Sequence, residues 1–182
     1  MFIDVCVPEE EEEKYIELAE RLGISALCFL YRKPKQIDTG FKTYTGKFGV
    51  SKNGFFVAPK ITNSLLNSRK AQFFVNADNN RYIGLTQTQC KLAAANEKTI
   101  LFALAPLLSL SRRNIGIAFK DIKLLRKFKC KIIFCSYATS PLQLRSVYEL
   151  KAVASCMGFS PEEVSSGFSV LYRTLHRNLF ID

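Results

Sequence analysis

The sequence alternates between short apolar runs of β type and amphipathic helical segments, and this alternation constrains the fold more than any other feature. Apolar, β-rich runs occupy residues 2–7, 25–31, 71–75, 99–106 and 131–137. Between them, apolar residues recur three or four positions apart, as in helices, over 9–22, 85–96 and 111–128. Strands that are joined through helices pair in parallel. The pattern therefore predicts an α/β fold built on a parallel sheet.

The strand number favours a closed sheet over an open one. Residues 32–70 contain four glycines and only fragments of strand pattern, FGV and FFVA, so we predict one or two short strands and loops there. That makes six or seven strands in all, and no Gly-rich phosphate loop follows any of them. We predict a TIM-like (β/α) barrel, with a distorted or shortened form included.

Helix signals near the end of the chain predict how the domain finishes. Ser140 and Pro141 are a favoured cap and first position for a helix that Gly158 would end. Ser160 and Glu163 have the spacing of a capping box at the start of the next helix. With 182 residues, 48% of them hydrophobic, the chain suits one domain over residues 1–182 that ends in short C-terminal helices.

The charge balance predicts an anionic partner. Lysine and arginine outnumber aspartate and glutamate by 26 to 16, and five of the acids stand in the run Glu9 to Glu13. Outside that run the balance is 26 to 11, or +15. For a compact domain the commonest partner of this kind is a polyphosphate backbone. A merely solvated, soluble surface is the alternative.

One stretch of the chain concentrates the basic residues. Between Leu110 and Arg145, Asp121 is the sole acid, and the nine basic residues are Arg112, Arg113, Lys120, Lys123, Arg126, Lys127, Lys129, Lys131 and Arg145. The helix predicted over 111–128 would pack through Ile115, Ala118, Ile122 and Leu125. Its opposite face would be free to bind and would carry Lys120, Lys123 and Lys127.

A second basic group lies in the loop-rich region and is mixed with aromatic residues. It consists of Arg32, Lys33, Lys35, Lys42, Lys47, Lys52 and Lys60. The aromatic residues among them are Phe41, Tyr44 and Phe48. The mixture suits phosphate contact with base stacking, and packing of the aromatic rings in the core is an equally good interpretation.

The start of the chain bears on metal chemistry. FIDVCVP resembles the Asp-x-His-x-His opening of the polymerase-and-histidinol-phosphatase barrels, but Cys6 and Pro8 stand at the two histidine positions. The chain's one histidine, His176, falls in a predicted C-terminal helix, where a surface or partly packed side chain is the better interpretation. We therefore expect no metal site in this chain.

Covalent catalysis has equally little support. No GxSxG elbow is present, and no cysteine has a histidine partner at a plausible spacing. Lys60 and Lys131 are conceivable Schiff-base lysines, but surface cations are the better interpretation. We predict no catalytic residue in the chain.

The cysteines and the apolar runs predict the compartment. The six cysteines form no CxxC pair and are interpreted as buried thiols of an intracellular protein. The sequence has no apolar run of about 20 residues and no cationic leader. A cytoplasmic protein is expected, or a nuclear one if the source is eukaryotic, with no membrane partner.

Several segments, mostly in the second half, carry a resemblance to a known family. They are NR and IGL at 80–85, LAAAN at 92–96, APLL at 105–108, the arginine pair 112–113, SYA at 136–138, LRSVYELKAVASCMGFSPEEV at 144–164 and LYRTLHRN at 171–178. In these segments the chain resembles the archaeal ribonuclease P protein component 3, whose eukaryotic relatives are barrel-shaped subunits of the same enzyme and of its mitochondrial-RNA-processing cousin. Ala105 is a departure, since the family usually has an arginine before Pro-Leu-Leu.

The resemblance implies a non-catalytic subunit of an endoribonuclease. Such a subunit joins ribonuclease P RNA and other small proteins, pairs with component 2, and supports RNA-catalysed removal of the 5′ leader from precursor tRNA, which it meets indirectly. Magnesium would be used by the RNA, and the chain would bind no cofactor. A divergent, metal-independent barrel hydrolase and a basic RNA or protein scaffold outside ribonuclease P remain as alternatives.

Basic residues at helix starts and strand ends are the predicted phosphate contacts. Arg145, Arg112 and Arg113 lead this set, and Lys120, Lys123 and Arg81 follow. An internal ion pair between Arg145 and Glu149, one helical turn further on, is the competing explanation for Arg145.

Overall fold

The computed structural model describes residues 2–32, 40–48, 55–58, 60–78, 81–108 and 112–178. For residues 78, 81, 112–114, 177 and 178 it describes the backbone alone. Within these ranges the main strands are β1 (Ile3–Cys6), β2 (Ala26–Tyr31), β3 (Thr43–Phe48), β4 (Phe56–Ala58), β5 (Phe73–Val75), β8 (Thr99–Ala103) and β9 (Lys131–Cys135). A hairpin of β6 (Ala77–Asp78) and β7 (Arg81–Tyr82) follows β5. The helices are α1 (Glu12–Arg21), α2 (Asn63–Asn67), α3 (Gln87–Ala95), α4 (Leu104–Leu108), α5 (Arg112–Lys127), α6 (Val147–Cys156) and α7 (Pro161–Asn178), with a 3₁₀ turn at Pro141–Gln143.

The described strands form a nearly closed parallel barrel, which confirms the predicted TIM-like α/β fold. The main sheet has seven strands, all pairing in parallel, in the order β1, β2, β3, β4, β5, β8, β9. Beyond the end of β9, a parallel bridge between Cys6 and Ala138 joins the first and last strands. The hydrogen bond from the Val7 N–H to the Ala138 carbonyl, 2.8 Å long, supports this closure.

Burial on both sides of the sheet explains why the strands are apolar throughout. All six residues of β2 and all five of β8 are buried. One set of alternating side chains packs under the helices and the other fills the barrel interior. A strand that is covered on both faces needs continuous rather than alternating hydrophobicity.

Helix α7 occupies the gap that the barrel leaves between β1 and β9 at their N-terminal ends. Its Gly167 is so close to β9 that a Cβ atom there would lie 2.6 Å from the Ile132 carbonyl oxygen. The Phe168 ring packs on Phe2 of the chain's first segment, with centroids 4.7 Å apart. Leu171, one turn further along, is fully buried in the interior cluster. The helix therefore completes the barrel wall and part of its core.

The predicted end of the strand that starts at Thr99 is wrong. The run from Thr99 does not stay extended to Pro106, because β8 ends at Ala103 and α4 begins. The Ala105 N–H donates to the Ser136 carbonyl instead of continuing the ladder, and Pro106 lies in the first turn of α4, where its missing N–H is tolerated.

The helix predicted from Ser140 is also wrong in its start. Pro141 opens only a 3₁₀ turn, and Ser140 makes no side-chain cap. Ser146 and Glu149 form the capping box that starts α6. The Ser160 and Glu163 capping box is confirmed, with bonds of 2.7 and 3.2 Å, but the helix after it is 18 residues long rather than short.

Residues 32–70 contain more regular structure than predicted. FFVA matches β4, and of FGV only Phe48, the last residue of β3 (TYTGKF), lies among the described residues. A five-residue helix, α2, was not predicted; the Thr62 side chain accepts a hydrogen bond from the Leu65 N–H and caps it. Residues 33–39 and 49–54 lie outside the described part of the chain.

Candidate nucleic-acid interface

Parallel strands bring the basic residues that follow them to one end of the barrel. Chain order places seven of them at this end: Arg32 after β2, Lys47 near the end of β3, Lys60 after β4, Arg81 in the hairpin after β5, Arg112 and Arg113 at the start of α5, and Arg145 before α6. We call this end the C-terminal rim. Four of the six predicted RNA contacts, Arg81, Arg112, Arg113 and Arg145, therefore share one edge of the molecule by topology alone.

Within this set, Arg145 is the predicted contact whose side chain is described. Its Nη1 donates to the carbonyl oxygens of Leu142 and Leu144, at 2.9 and 2.7 Å. The competing ion pair does not form, because Glu149 instead accepts from the Ser146 N–H at 2.8 Å. A guanidinium has five N–H donors, so Arg145 is fixed in place while keeping donors and its positive charge for a ligand.

An exposed aromatic ring lies beside Arg145 in the chain. Tyr148 is 81% exposed on the first turn of α6, and Leu142 on the preceding 3₁₀ turn is 83% exposed. Sequence reasoning did not single out Tyr148, although a signal was present. It falls outside the helical spacing of Val147, Leu150 and Ala154, which predicts a side chain that faces away from the core.

The aromatic residues proposed from sequence for base stacking are packed instead. Tyr44 is 4% exposed and belongs to the interior cluster. Phe41 and Phe48 are partly buried against the two core clusters. Core packing is therefore the correct interpretation for these three rings. Lys33, Lys35 and Lys52 lie outside the described residues.

Lys120 and Lys123 are exposed on the side of the barrel, not at the C-terminal rim. They lie in the middle of α5, two or more turns from its first residue. Lys123 lines a groove between α5 and the end of α6. Ile115, predicted to pack, is instead 44% exposed, whereas Ala118, Ile122 and Leu125 are buried as predicted.

A buried polar network fixes the β6–β7 hairpin, and with it the backbone of Arg81, against α5. Asp121 Oδ2 accepts from the Tyr82 hydroxyl at 2.8 Å and from the Leu85 N–H at 2.9 Å. Burial raises the pKa of Asp121 to about 6, although these hydrogen bonds oppose the rise. Asn76 Oδ1 holds the end of β8 by accepting from the Ala103 N–H at 2.9 Å.

The segment that resembles a metal-binding opening has a structural role. Asp4 Oδ1 accepts from the Val5 N–H at 2.9 Å and from the Ser136 N–H at 2.7 Å, which ties β1 to the end of β9. Pro8 is buried, and burial raises the pKa of the Cys6 thiol well above its ordinary value. Among the described residues, no group of three or more histidine, cysteine and acidic side chains is arranged to hold a metal ion.

His176 is partly packed, as predicted, and lies at the opposite end of the barrel. Its Nε2 is 3.0 Å from the Tyr44 hydroxyl, and its ring stacks at a tilt on Tyr172 with centroids 4.2 Å apart. Lys42, which precedes β3, has its Nζ 3.4 Å from the same Nε2. This cluster attaches the last turns of α7 to the base of the barrel.

The remaining candidate residues are two lysines and the cysteines, and most of them lie where the sequence predicted. Lys60 and Lys131 are exposed, which favours the surface-cation interpretation, and Lys131 lies 3.2 Å from Glu97 Oε2. Cys6, Cys28, Cys90 and Cys135 are buried as predicted and Cys130 is partly so, but Cys156 is exposed, contrary to prediction. None of the described helices is both long enough and apolar enough to span a membrane.

Asp4 lies at the junction of β1 and β9, which we call the barrel seam, and its carboxylate gives a prediction about pH. Burial raises the pKa of Asp4 from 3.8 to about 6, and hydrogen bonds from Ser136 and Val5 offset part of the rise. The folded state then binds this proton more tightly than the unfolded state, so the stabilisation is fully present below pH 3.8 and is lost as pH rises through about 6. A rise of this size in the pKa corresponds to at most about 3 kcal/mol in the free energy of unfolding. Asp4→Asn keeps the acceptor and removes the titration.

Urea unfolding of the wild type and of Asp4→Asn, at several values between about pH 4 and pH 7, measures this. The free energy of unfolding of the wild type should fall relative to that of the variant across the range. Asp121 is present in both proteins, so its own titration cancels in the difference. Parallel pH profiles would contradict the buried, protonated state of Asp4.

Comparison with known proteins finds solved structures that have a similar fold. A chain in a cryo-EM structure of archaeal ribonuclease P with mature tRNA superposes with a TM-score of 0.74 and 14% identity, over 99% of this chain and 93% of that one. The histidinol phosphate phosphatase of Lactococcus lactis, crystallised with zinc, L-histidinol and phosphate, superposes with a TM-score of 0.55 and 12% identity, over 87% of this chain and 94% of that one. No protein-family model and no curated protein matches the sequence. At these identities the likenesses show the fold.

Proposed function

We propose that this chain is a protein subunit of ribonuclease P, of the component 3 type, which supports RNA-catalysed removal of the 5′ leader from precursor tRNA. The observation that carries the proposal is a likeness in fold over nearly the full length of both chains to a chain found in an archaeal ribonuclease P. The cationic C-terminal rim and the net charge of +10 support an RNA partner. The segments that resemble component 3 point to the same family.

In this proposal the C-terminal rim contacts RNA phosphates. Arg112 and Arg113 open α5, and Arg145 is held immediately before α6, so all three guanidinium groups start from fixed backbone positions. Arg81, on the hairpin that Asp121 anchors, would extend this surface, and Lys120 would continue it down the side of the barrel. Such contacts position the protein on RNA without reading its sequence.

The chemistry is assigned to the RNA and not to this chain. Magnesium would serve the RNA, this subunit would bind no cofactor, and component 2 would be its protein partner in the cytoplasm. At the segment that resembles a phosphatase metal site, Asp4 instead holds the barrel seam together. Precursor tRNA would be met only through the assembled particle.

Reconstituted cleavage tests the proposal. Precursor tRNA is incubated with a matched ribonuclease P RNA at moderate magnesium, with component 2 alone and then with this chain added. We expect cleavage at the mature 5′ end to be stimulated only when both proteins are present. Absence of stimulation, or cleavage by the protein without RNA, would reject the subunit role.

Tyr148 is proposed to stack on an unpaired base of the RNA. Its ring is 81% exposed three residues along the chain from Arg145, and a cation combined with an exposed aromatic ring suits single-stranded RNA. Tyr148→Ala is expected to weaken RNA binding by about 1 kcal/mol, close to the lower end for a base–aromatic stack, with the salt dependence unchanged. Leu142→Ala is the matched control, because it removes an equally exposed side chain with no ring. Equal losses in fluorescence anisotropy titrations of the two variants would exclude stacking.

A further inference from the structure

Helix α5 has a second apolar face that the barrel core does not use. Ile115 is 44% exposed and Phe119 is 40% exposed, and neither belongs to the two core clusters. They are four residues apart, so they lie one above the other on the same side of the helix. Large half-exposed side chains that line up along a helix are typical of a surface that another molecule covers.

This face runs into a groove between α5 and the end of α6. The groove has a volume of about 470 Å³, and its lining includes Phe119, Ile122, Lys123, Lys127, Cys156 and Met157. Ile122 and Met157, with exposures of 3% and 7%, form its apolar base. Cys156 contributes an exposed thiol at its edge.

The edge of the groove carries three basic residues, and a described acid pairs with one of them. Arg126 is held by Glu163, at 3.2 Å from its Nε, and by the Gly158 carbonyl, at 2.8 Å from its Nη1. Lys123 and Lys127 are exposed, and neither makes an ion pair with a described acid. Lys127 Nζ lies 5.7 Å from the centre of the Phe128 ring, which leaves its charge without a carboxylate partner among the described residues. The two ammonium groups are one helical turn apart and would complement carboxylates spaced in the same way.

An apolar floor with a basic edge favours a protein segment over RNA. Protein interfaces bury apolar and aromatic side chains in their centre and place charges at the periphery. Phosphate contacts gain nothing from an exposed Phe119 or a buried Met157, and nucleic-acid interfaces are more polar throughout. A groove between two helices accommodates the apolar face of a third.

We propose that the groove between α5 and α6 docks an amphipathic helix of a protein partner, whose apolar side chains cover Phe119 and Ile115 and whose carboxylates meet Lys123 and Lys127. Lys123 is thereby assigned to a protein contact instead of the RNA contact that sequence reasoning predicted. The docking surface does not depend on which RNA the chain serves.

Photo-crosslinking identifies what covers the groove. The tagged full chain carrying Phe119→p-benzoylphenylalanine is expressed in its own cells, irradiated, purified and digested. A crosslinked peptide that combines apolar residues with Asp or Glu at helical spacing is expected. A crosslinked nucleotide, or no crosslink from position 119, would overturn the proposal.

Charge exchange tests the geometry on the purified pair. Lys123→Glu and Phe119→Ser should each weaken binding of the captured partner about tenfold, and an acid-to-lysine change in the crosslinked segment should restore binding to Lys123→Glu alone. Lys91→Glu, an exposed lysine on α3, is the matched control and should have no effect. Equal loss with Lys91→Glu, or no rescue, would refute the docking mode.

The exposed thiol of Cys156 allows the docking proposal to be tested in the native particle, without any substitution. Cys156 should react with maleimide rapidly in the free chain and slowly in the isolated particle, and protection should survive nuclease treatment. Protection that nuclease removes would identify RNA as the occupant and refute the docked helix. A chain that does not stimulate tRNA cleavage but keeps nuclease-resistant protection would refute the ribonuclease P role alone.

Discussion

Replacing Arg112, Arg113 and Arg145 together by glutamine is expected to weaken binding to ribonuclease P RNA by about 100-fold and to flatten its salt dependence. Each phosphate contact contributes roughly 0.7 to 0.9 to the slope of log affinity against log salt. Loss of three contacts should therefore reduce the slope by about 2 to 3. The three residues can act together because topology brings the start of α5 and the approach to α6 to the same end of the barrel.

A control variant with the same loss of charge distinguishes an effect of the C-terminal rim from an effect of net charge alone. Arg69 and Lys70 precede β5 and Lys129 precedes β9, so these exposed residues lie at the opposite end of the barrel. Their triple glutamine variant removes three positive charges from the N-terminal end. We expect it to change affinity only a few-fold in anisotropy titrations over a series of potassium chloride concentrations. If both triple variants lose equal affinity and equal slope, the C-terminal rim is not the RNA surface.

The single variant Arg145→Ala isolates the best-defined member of the rim. Because its carbonyl contacts are local, removing the side chain should leave the capping box of Ser146 and Glu149 intact. A reduced slope with unchanged thermal stability would assign its charge to phosphate. An unchanged slope would show that Arg145 serves only to hold the turn between β9 and α6.

The sequence was informative where one physical cause determines the structure. The continuous hydrophobicity of β2 follows from burial on both faces, and the Ser160–Glu163 capping box needs only neighbours in the chain. Only Phe48 of β3 fell in a predicted strand fragment, because Thr43–Phe48 contains a glycine and three polar residues. The buried Tyr44 of this strand contacts His176, which is 132 residues away. Long-range contacts of this kind leave no local pattern.

In the candidate site, too, local signals were predictable from the sequence and long-range packing was not. Arg112, Arg113 and Arg145 could be nominated because they stand at helix starts, and parallel topology then places them together. That Lys123 borders a groove could not be foreseen, since the groove exists only where α5 meets the end of α6. Ile115 has helical spacing suitable for either apolar face of α5, and only packing decides between them.

The second large effect concerns the barrel seam, where Gly167→Ala is expected to destabilise the protein by about 4 kcal/mol. The new methyl group would lie 2.6 Å from the Ile132 carbonyl oxygen and 3.3 Å from the Ile133 Cα, both backbone atoms that cannot rotate away. Overpacking of this kind costs about 1 to 3 kcal/mol by itself. Moving α7 outward also exposes part of Phe168 and Leu171, each worth roughly 1.5 to 3 kcal/mol when fully buried.

Gly116→Ala in α5 is the matched control, because no heavy atom lies within 4 Å of the Cβ it would add. There the same substitution should raise the free energy of unfolding by up to about 1 kcal/mol through helix propensity. Urea unfolding of the two variants against the wild type makes the comparison. The two changes are chemically identical and both fall inside helices, so opposite signs can arise only from what faces each glycine. Stabilisation by Gly167→Ala would mean that α7 does not lie on the edge of β9, and the barrel would then need another element to cover its open seam.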